Sequence, residues 1–255
     1  MDHPLGPTPS QVQALQLAYD RLQQQQQFQA AFLGSASHEL RAPINQIISL
    51  HQLILEDLCE NPAEEREFLI QANGAIQTVL KNLDLLISLS KLEVGGVTPN
   101  LQELSLAPVL DRVQQLTQMK SLNRHCRLMV AQVDSMIVVW SDRQWLLQLL
   151  VMLVDTAIDL GSDVITLDVA PVSQEVVLTL HCDRPLEPLS ELVSATEAEA
   201  SPRTGYDLSP EFRGQLAARI VPHLGGQLDC RQLDGKGTEW SLQLPRETPT
   251  AGDIP

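Results

Sequence analysis

Large aliphatic residues return at every seventh position from Leu33 through Leu40 and Ile47 to Ile54, with Ile44, His51 and Leu58 at the companion positions. A seven-residue repeat is the seam of a long helix packed on other helices, since a strand would alternate every second residue. The pattern stops at Asn61-Pro62-Ala63-Glu64, which reads as an N-cap, a proline at the first helical position and a capping-box acid. Leu69, Ala72, Ile76, Val79, Leu83 and Leu86 then recur at spacings of three and four until Gly95-Gly96 ends the second helix. Two such helices make an antiparallel hairpin, and two hairpins bury both apolar faces as a four-helix bundle. The pattern therefore predicts a homodimer.

The remainder changes character. Leu106 to Leu122 is amphipathic, Leu128 to Val139 holds β-type runs, and Asp142 to Leu160 is a strongly apolar helix. Val164–Val169 and Val176–Leu180 alternate like strands. A helix over Pro210–Leu224 and two strands, Gln227–Leu233 and Thr238–Leu244, close the domain. The expected fold is α+β: a long helical hairpin followed by an α/β sandwich. Its expected parts are a tail and lead-in helix over 1–27, the hairpin over 28–96, a linker over 97–104, the second domain over 105–246 and a tail over 247–255. Residues 183–208, rich in Pro, Ser, Glu and Ala, read as a mobile loop.

Composition narrows the function. A net charge of −15 argues against a nucleic-acid partner, which needs clustered Lys and Arg. Cys59, Cys126, Cys182 and Cys230 lie far apart without ligand spacing, so neither a metal site nor a disulfide is expected. His3, His125, His181 and His223 also lack ligand partners at any useful spacing, and His51 is expected to pack in the bundle or at its dimer interface. The apolar run from Trp145 to Val154 falls short of the ~20 residues of a membrane span, and the N-terminus lacks signal-peptide regions. A soluble, cytoplasmic protein is expected.

The segment Phe32-Leu33-Gly34-Ser35-Ala36-Ser37-His38-Glu39-Leu40-Arg41-Ala42-Pro43-Ile44 resembles the phospho-acceptor box of the two-component sensor histidine kinases. The resemblance makes His38 the nucleophile that takes the phosphoryl group and Glu39 the general base. The chemistry suits the residues, because one ring nitrogen of a neutral imidazole attacks while a carboxylate takes the proton of the other. Many relatives carry Thr or Asn four residues after the histidine to orient a water for dephosphorylation. Here that position is Ala42, which holds no water, so the usual phosphatase step is not expected.

The second domain resembles the family's ATP-binding domain in outline. Asp142-Arg143-Gln144-Trp145-Leu146-Leu147-Gln148-Leu149-Leu150 looks like the run into its first nucleotide motif, and Gly235–Pro245 is similar to its closing strand. The nucleotide contacts depart from the pattern. The family's two Asn positions fall at Met152 and Thr156, and its Lys falls at Asp159. Mg²⁺ wants oxygen ligands in near-octahedral array, which a thioether cannot supply. Asp183 is the counterpart of the adenine-binding acid, yet no glycine occurs between Ser162 and Thr204 to let a backbone approach the nucleotide. Thr156, Asp183, Gly237 and Thr238 remain the candidate nucleotide contacts.

Three functions follow from the resemblance. The first is a phosphorelay protein that is phosphorylated on His38, exchanges phosphoryl groups with response-regulator receiver domains and has no cofactor. The second is an ATP- and Mg²⁺-dependent kinase with divergent contacts, driven by a separate sensor protein. The third is a dimeric scaffold without chemistry.

Overall fold

The computed structural model describes residues 9–184, 207–233 and 237–247. Most of the expected loop at 183–208, both extreme tails and part of the Gly235–Pro245 segment lie outside the described residues. The chain divides into two compact units, residues 1–72 and 73–255. No helix among the described residues is long and apolar enough to cross a membrane.

The first unit holds helix α1, Pro9–Leu55, and the opening turns of α2, Pro62–Glu93. Asn61 caps α2, its Oδ1 accepting the backbone N–H of Ala63 and Glu64 at 3.0 Å each. Glu64 reaches back to the N–H of Glu60 at 2.6 Å, one residue earlier than the expected capping box. α1 ends three residues short of Leu58, because Asp57 turns left-handed at φ 54° and the Asp57 N–H bonds back to the Ile54 carbonyl.

The buried face of α1 is not the heptad of large aliphatics. Phe32, Ala36, Glu39, Pro43 and Leu50 are buried, while Leu33 and Leu58 are 64% and 60% exposed and Ile44 is also exposed. Leu40, Ile47 and Ile54 are half-buried. In the single chain His51 is exposed, its Nδ1 2.8 Å from the Ile47 carbonyl. A small residue, an acid and a proline occupy the inner positions, so spacing of large side chains alone points to the neighbouring face.

The second unit begins within α2, which buries Ala75, Val79, Asn82, Leu86, Leu89 and Leu92 at spacings of three and four. Gly95, at φ 70°, ends the helix, and the N–H groups of Gly96 and Val97 both return to the Lys91 carbonyl. Part of the expected linker is a strand: β1, Gln102–Ser105, pairs antiparallel with β3, Val138–Ser141.

A five-stranded sheet runs β2-β4-β5-β7-β6, from β2 (Arg127–Val130), β4 (Val164–Val172), β5 (Glu175–Cys182), β6 (Gln227–Leu233) and β7 (Gly237–Pro245). Only β2 and β4 are parallel. Helices α3 (Ala107–Asn123), α4 (Arg143–Asp159) and α5 (Pro210–His223) complete the layer. Strand alternation turns Val176, Leu178, Leu180 and Cys182 of β5 and Trp240, Leu242 and Leu244 of β7 inward. They meet α4, as a void of only about 10 Å³ is lined by Leu150, Leu153 and Val154 together with Leu167, Leu178, Leu180, Trp240 and Leu242. Each such buried side chain contributes roughly 1.5–3 kcal/mol. Asp142 starts α4 where the register requires it, accepting from the N–H groups of Gln144 and Trp145 at 2.8 and 3.1 Å.

Candidate functional site

The phase of α1 settles how the acceptor segment is presented. Successive helical residues are ~100° apart, so a buried Glu39, 7% exposed, puts the neighbouring His38 outside. Pro43 lies within the helix and is buried; Ala42 is exposed. The exposed Ser37 hydroxyl donates to the Leu33 carbonyl at 2.7 Å. His38 is thus an exposed imidazole, and its sequence neighbour Glu39 is a buried carboxylate.

In the second unit the candidate nucleotide contacts already have structural work. The Thr156 hydroxyl, buried, donates to the Met152 carbonyl at 2.7 Å. Asp183 accepts the Asp163 N–H at 3.0 Å. Arg184 folds over the same corner, donating to the Gly161 carbonyl at 3.1 Å and to Asp163 at 3.2 Å. Thr238, also buried, donates to the Arg184 carbonyl at 3.1 Å. Asp183, Gly237 and Thr238 do come together, since Cys182 and Thr238 are partners in the β5–β7 register. Gly237 there serves a close backbone approach. At φ 120°, a Cβ on it would collide with the Cys182 carbonyl. Gly237→Ala is expected to destabilise the domain by about 3 kcal/mol, read from denaturant midpoints, because both space and backbone conformation refuse a side chain.

Sequence reasoning missed what surrounds Asp159. Lys120 of α3 pairs with Asp159 at 2.9 Å, with Asp207 at 3.1 Å and with Asp155 at 3.9 Å. Arg213 of α5, almost fully buried, holds the same Asp159 at 2.6 Å. Two cations and three carboxylates drawn from three helices and the Asp207 segment thus form one ion-paired cluster on the α4 face that carries Met152 and Thr156. No spacing rule reveals this set, whose members lie 39, 54 and 87 residues apart.

Burial raises the Asp155 carboxyl above the usual range despite Lys120 and Arg213. Burial pushes Asp207 upward too, but Lys120, by charge and hydrogen bond, outweighs it and holds that carboxyl below the usual range. A depressed carboxyl stabilises the fold above its unfolded pKa, and this stability is lost as pH falls through the folded value. Lys120→Met is therefore expected to raise both carboxyls, as followed by NMR titration of Asp155 and Asp207.

The residues present do not fit Mg²⁺–ATP held in the family's manner. Met152 offers sulfur, the Thr156 hydroxyl is committed, and Asp159 is closed between Lys120 and Arg213. Among the described residues no cluster of three or more His, Cys, Asp or Glu suits a metal ion.

Comparison with known proteins accounts for the helices. Residues 28–95 match the model of the His Kinase A (phospho-acceptor) domain. Over 240 residues the chain is 26% identical to the virulence sensor protein BvgS of Bordetella bronchiseptica, covering 84% of this chain and 18% of that protein. The chain spans less than a third of the length of the curated relatives it matches. In fold it resembles the Acinetobacter baumannii histidine kinase AdeS, with a TM-score of 0.61 at 18% identity over 83% of this chain and 98% of that one. It also resembles histidine kinase ThkA in complex with response regulator protein TrrA, with a TM-score of 0.54 at 17% identity over 83% and 60% of the two chains. The match to the phospho-acceptor domain over its helices, the relatives along most of its length and the shared fold together support a place for this chain in the two-component sensor histidine kinase family.

Proposed function

We propose that this chain is a phosphorelay protein that carries a phosphoryl group on His38 and exchanges it with response-regulator receiver domains without using ATP. An imidazole nitrogen of His38 attacks the phosphorus of a receiver's aspartyl phosphate. The N–P bond forms as the P–O bond to the aspartyl carboxylate breaks, and that carboxylate leaves. Glu39 takes the proton of the other ring nitrogen. The reverse step hands the group to a second receiver. Transfer of this kind depends on positioning and in-line approach rather than on a bound nucleotide.

The observation that carries the reading is the pairing of an exposed His38 with an ion-paired cluster on the α4 face where the family's metal ligands belong. A receiver as partner is supported by the likeness to ThkA, whose solved complex contains a response regulator. Homodimerisation belongs to the same proposal, since Leu33, Ile48, Leu55 and Leu58 of the first unit stay exposed in a single chain. A separate sensor protein is the expected source of input.

Titration of the full chain with a fluorescent ATP analogue and Mg²⁺ tests the nucleotide half of the proposal. The expected result is no saturable binding. Saturable binding displaced by ATP would favour the kinase reading instead.

A further inference from the structure

The five-stranded sheet ends on two edges of different character. β2, at one edge, is four residues long. β6, at the other, is seven residues long and pairs with β7 without a bulge from Gln227 to Leu233. Every second N–H and C=O along β6 therefore points away from β7, with no strand of the sheet beyond to receive it. An open edge is a template for another strand, and proteins commonly blunt it by shortness, proline, lysine or a bulge. The sequence Gln227-Leu228-Asp229-Cys230-Arg231-Gln232-Leu233 has none of these. Its charges are Asp229 and Arg231, opposite in sign, both exposed and two residues apart on one face of the sheet. Among the described residues neither is held in an ion pair, although Glu239 stands opposite Arg231 on β7.

That order of side chains is self-complementary. When a second β6 runs antiparallel about a two-fold axis at Cys230, position 229 of each strand faces position 231 of the other. Asp229 then lies across from Arg231 of the second copy, and the same pair recurs on the other side of the axis. Each arginine stands between that aspartate and its own Glu239. Opposite charges directly across two strands favour pairing, and like charges oppose it. The strip is neutral in a chain whose net charge is −15, so two copies meet there without setting like charges against each other. We propose that β6 is a docking edge for a second copy of this chain, the two strands pairing antiparallel and joining two sheets into one. The contact is separate from pairing through the helical hairpin, so each chain carries two self-complementary faces. Two such faces extend an assembly past the dimer when their axes do not coincide.

The test is sedimentation velocity on the full chain over a range of concentrations, with melting curves alongside. Wild type is expected to show an association step beyond the one owed to the hairpin. Asp229→Arg sets arginines opposite one another and is expected to weaken that step at least tenfold without lowering the melting temperature. Asp229→Arg combined with Arg231→Asp puts opposite charges face to face again and is expected to recover most of it. The register has its own readout. Residues directly opposite in an antiparallel pair have Cα atoms about 4.5–5.5 Å apart, within the span of a disulfide. Cys59 is the one other cysteine that is not buried, so mild oxidation of the Cys59→Ser chain is expected to join two copies through Cys230. An association that ignores Asp229→Arg, no recovery in the combined variant, or no Cys230 link would each overturn the proposal and leave β6 a solvated edge. A hairpin that fails to pair would leave the β6 step as the remaining one, still sensitive to the charge exchange, so the two contacts fail independently.

Discussion

Replacing His38 with glutamine is expected to abolish uptake of label from a phosphorylated receiver domain while leaving the melting temperature within about 1 °C of wild type. His38 is exposed and takes no part in the buried face of α1, and exposed substitutions away from special features rarely cost more than about 0.5 kcal/mol. Glutamine keeps the helix but has no nucleophilic nitrogen, so the loss is expected to exceed about 100-fold, nothing else replacing a covalent nucleophile. The measurement is the rate of transfer from receiver to chain, followed by autoradiography of the separated proteins. Glu39→Gln should behave differently. Its amide is near in shape, but it takes no proton from the ring, so a slowed and pH-shifted transfer is expected rather than a lost one.

The second large effect is structural. Near the C-terminal end of α2, the Glu93 carboxylate accepts from Nη1 of Arg219 on α5, with its two oxygens at 2.6 and 2.7 Å. The Arg219 side chain is only 4% exposed and that of Glu93 19%. Burial lowers the pKa of Arg219, and Glu93 opposes that shift. Removing one partner of such a pair leaves the other charge desolvated without its counter-ion, at a cost of about 3 kcal/mol. Glu93→Ala is therefore expected to lower the melting temperature of a domain this size by roughly 6–12 °C. Arg219→Met combined with Glu93→Leu should restore much of it, because a buried ion pair replaced as a whole by apolar groups is close to neutral. A double-mutant cycle by thermal denaturation separates the coupling from the two single effects.

The element pattern was largely legible because it rests on local signals. Asn61 and Asp142 cap the helices that follow them, Gly95 ends α2 in the left-handed region, and period-two alternation in β5 and β7 marks the inner sheet face. The face of α1 that a single chain covers was not legible. A sequence weights Leu33 and Ile44 over Ala36 and Pro43, yet the smaller residues and the acid at 39 face inward. Large aliphatics on a helix that has two apolar faces do not announce which face a single chain covers. β1 escaped notice because it is four residues long and pairs with β3 across an intervening helix.

The site was legible to a similarly uneven degree. His38 stands in a contiguous box, so its candidacy needs no tertiary information. The departures at Met152, Thr156 and Asp159 were also visible. Their replacement by a cluster was not, since Lys120, Arg213 and Asp207 meet Asp159 only through packing of α3, α4 and α5. Long-range pairing of charges leaves no periodic trace.

The most direct test of the phosphorelay account is to offer the purified full chain radiolabelled ATP with Mg²⁺ in one reaction and a radiolabelled phospho-receiver in another, with His38→Gln in parallel. The account predicts acid-labile label on wild type from the receiver, none from ATP, and none on the variant from either source. Label from ATP that disappears in the variant would contradict it and establish a working kinase.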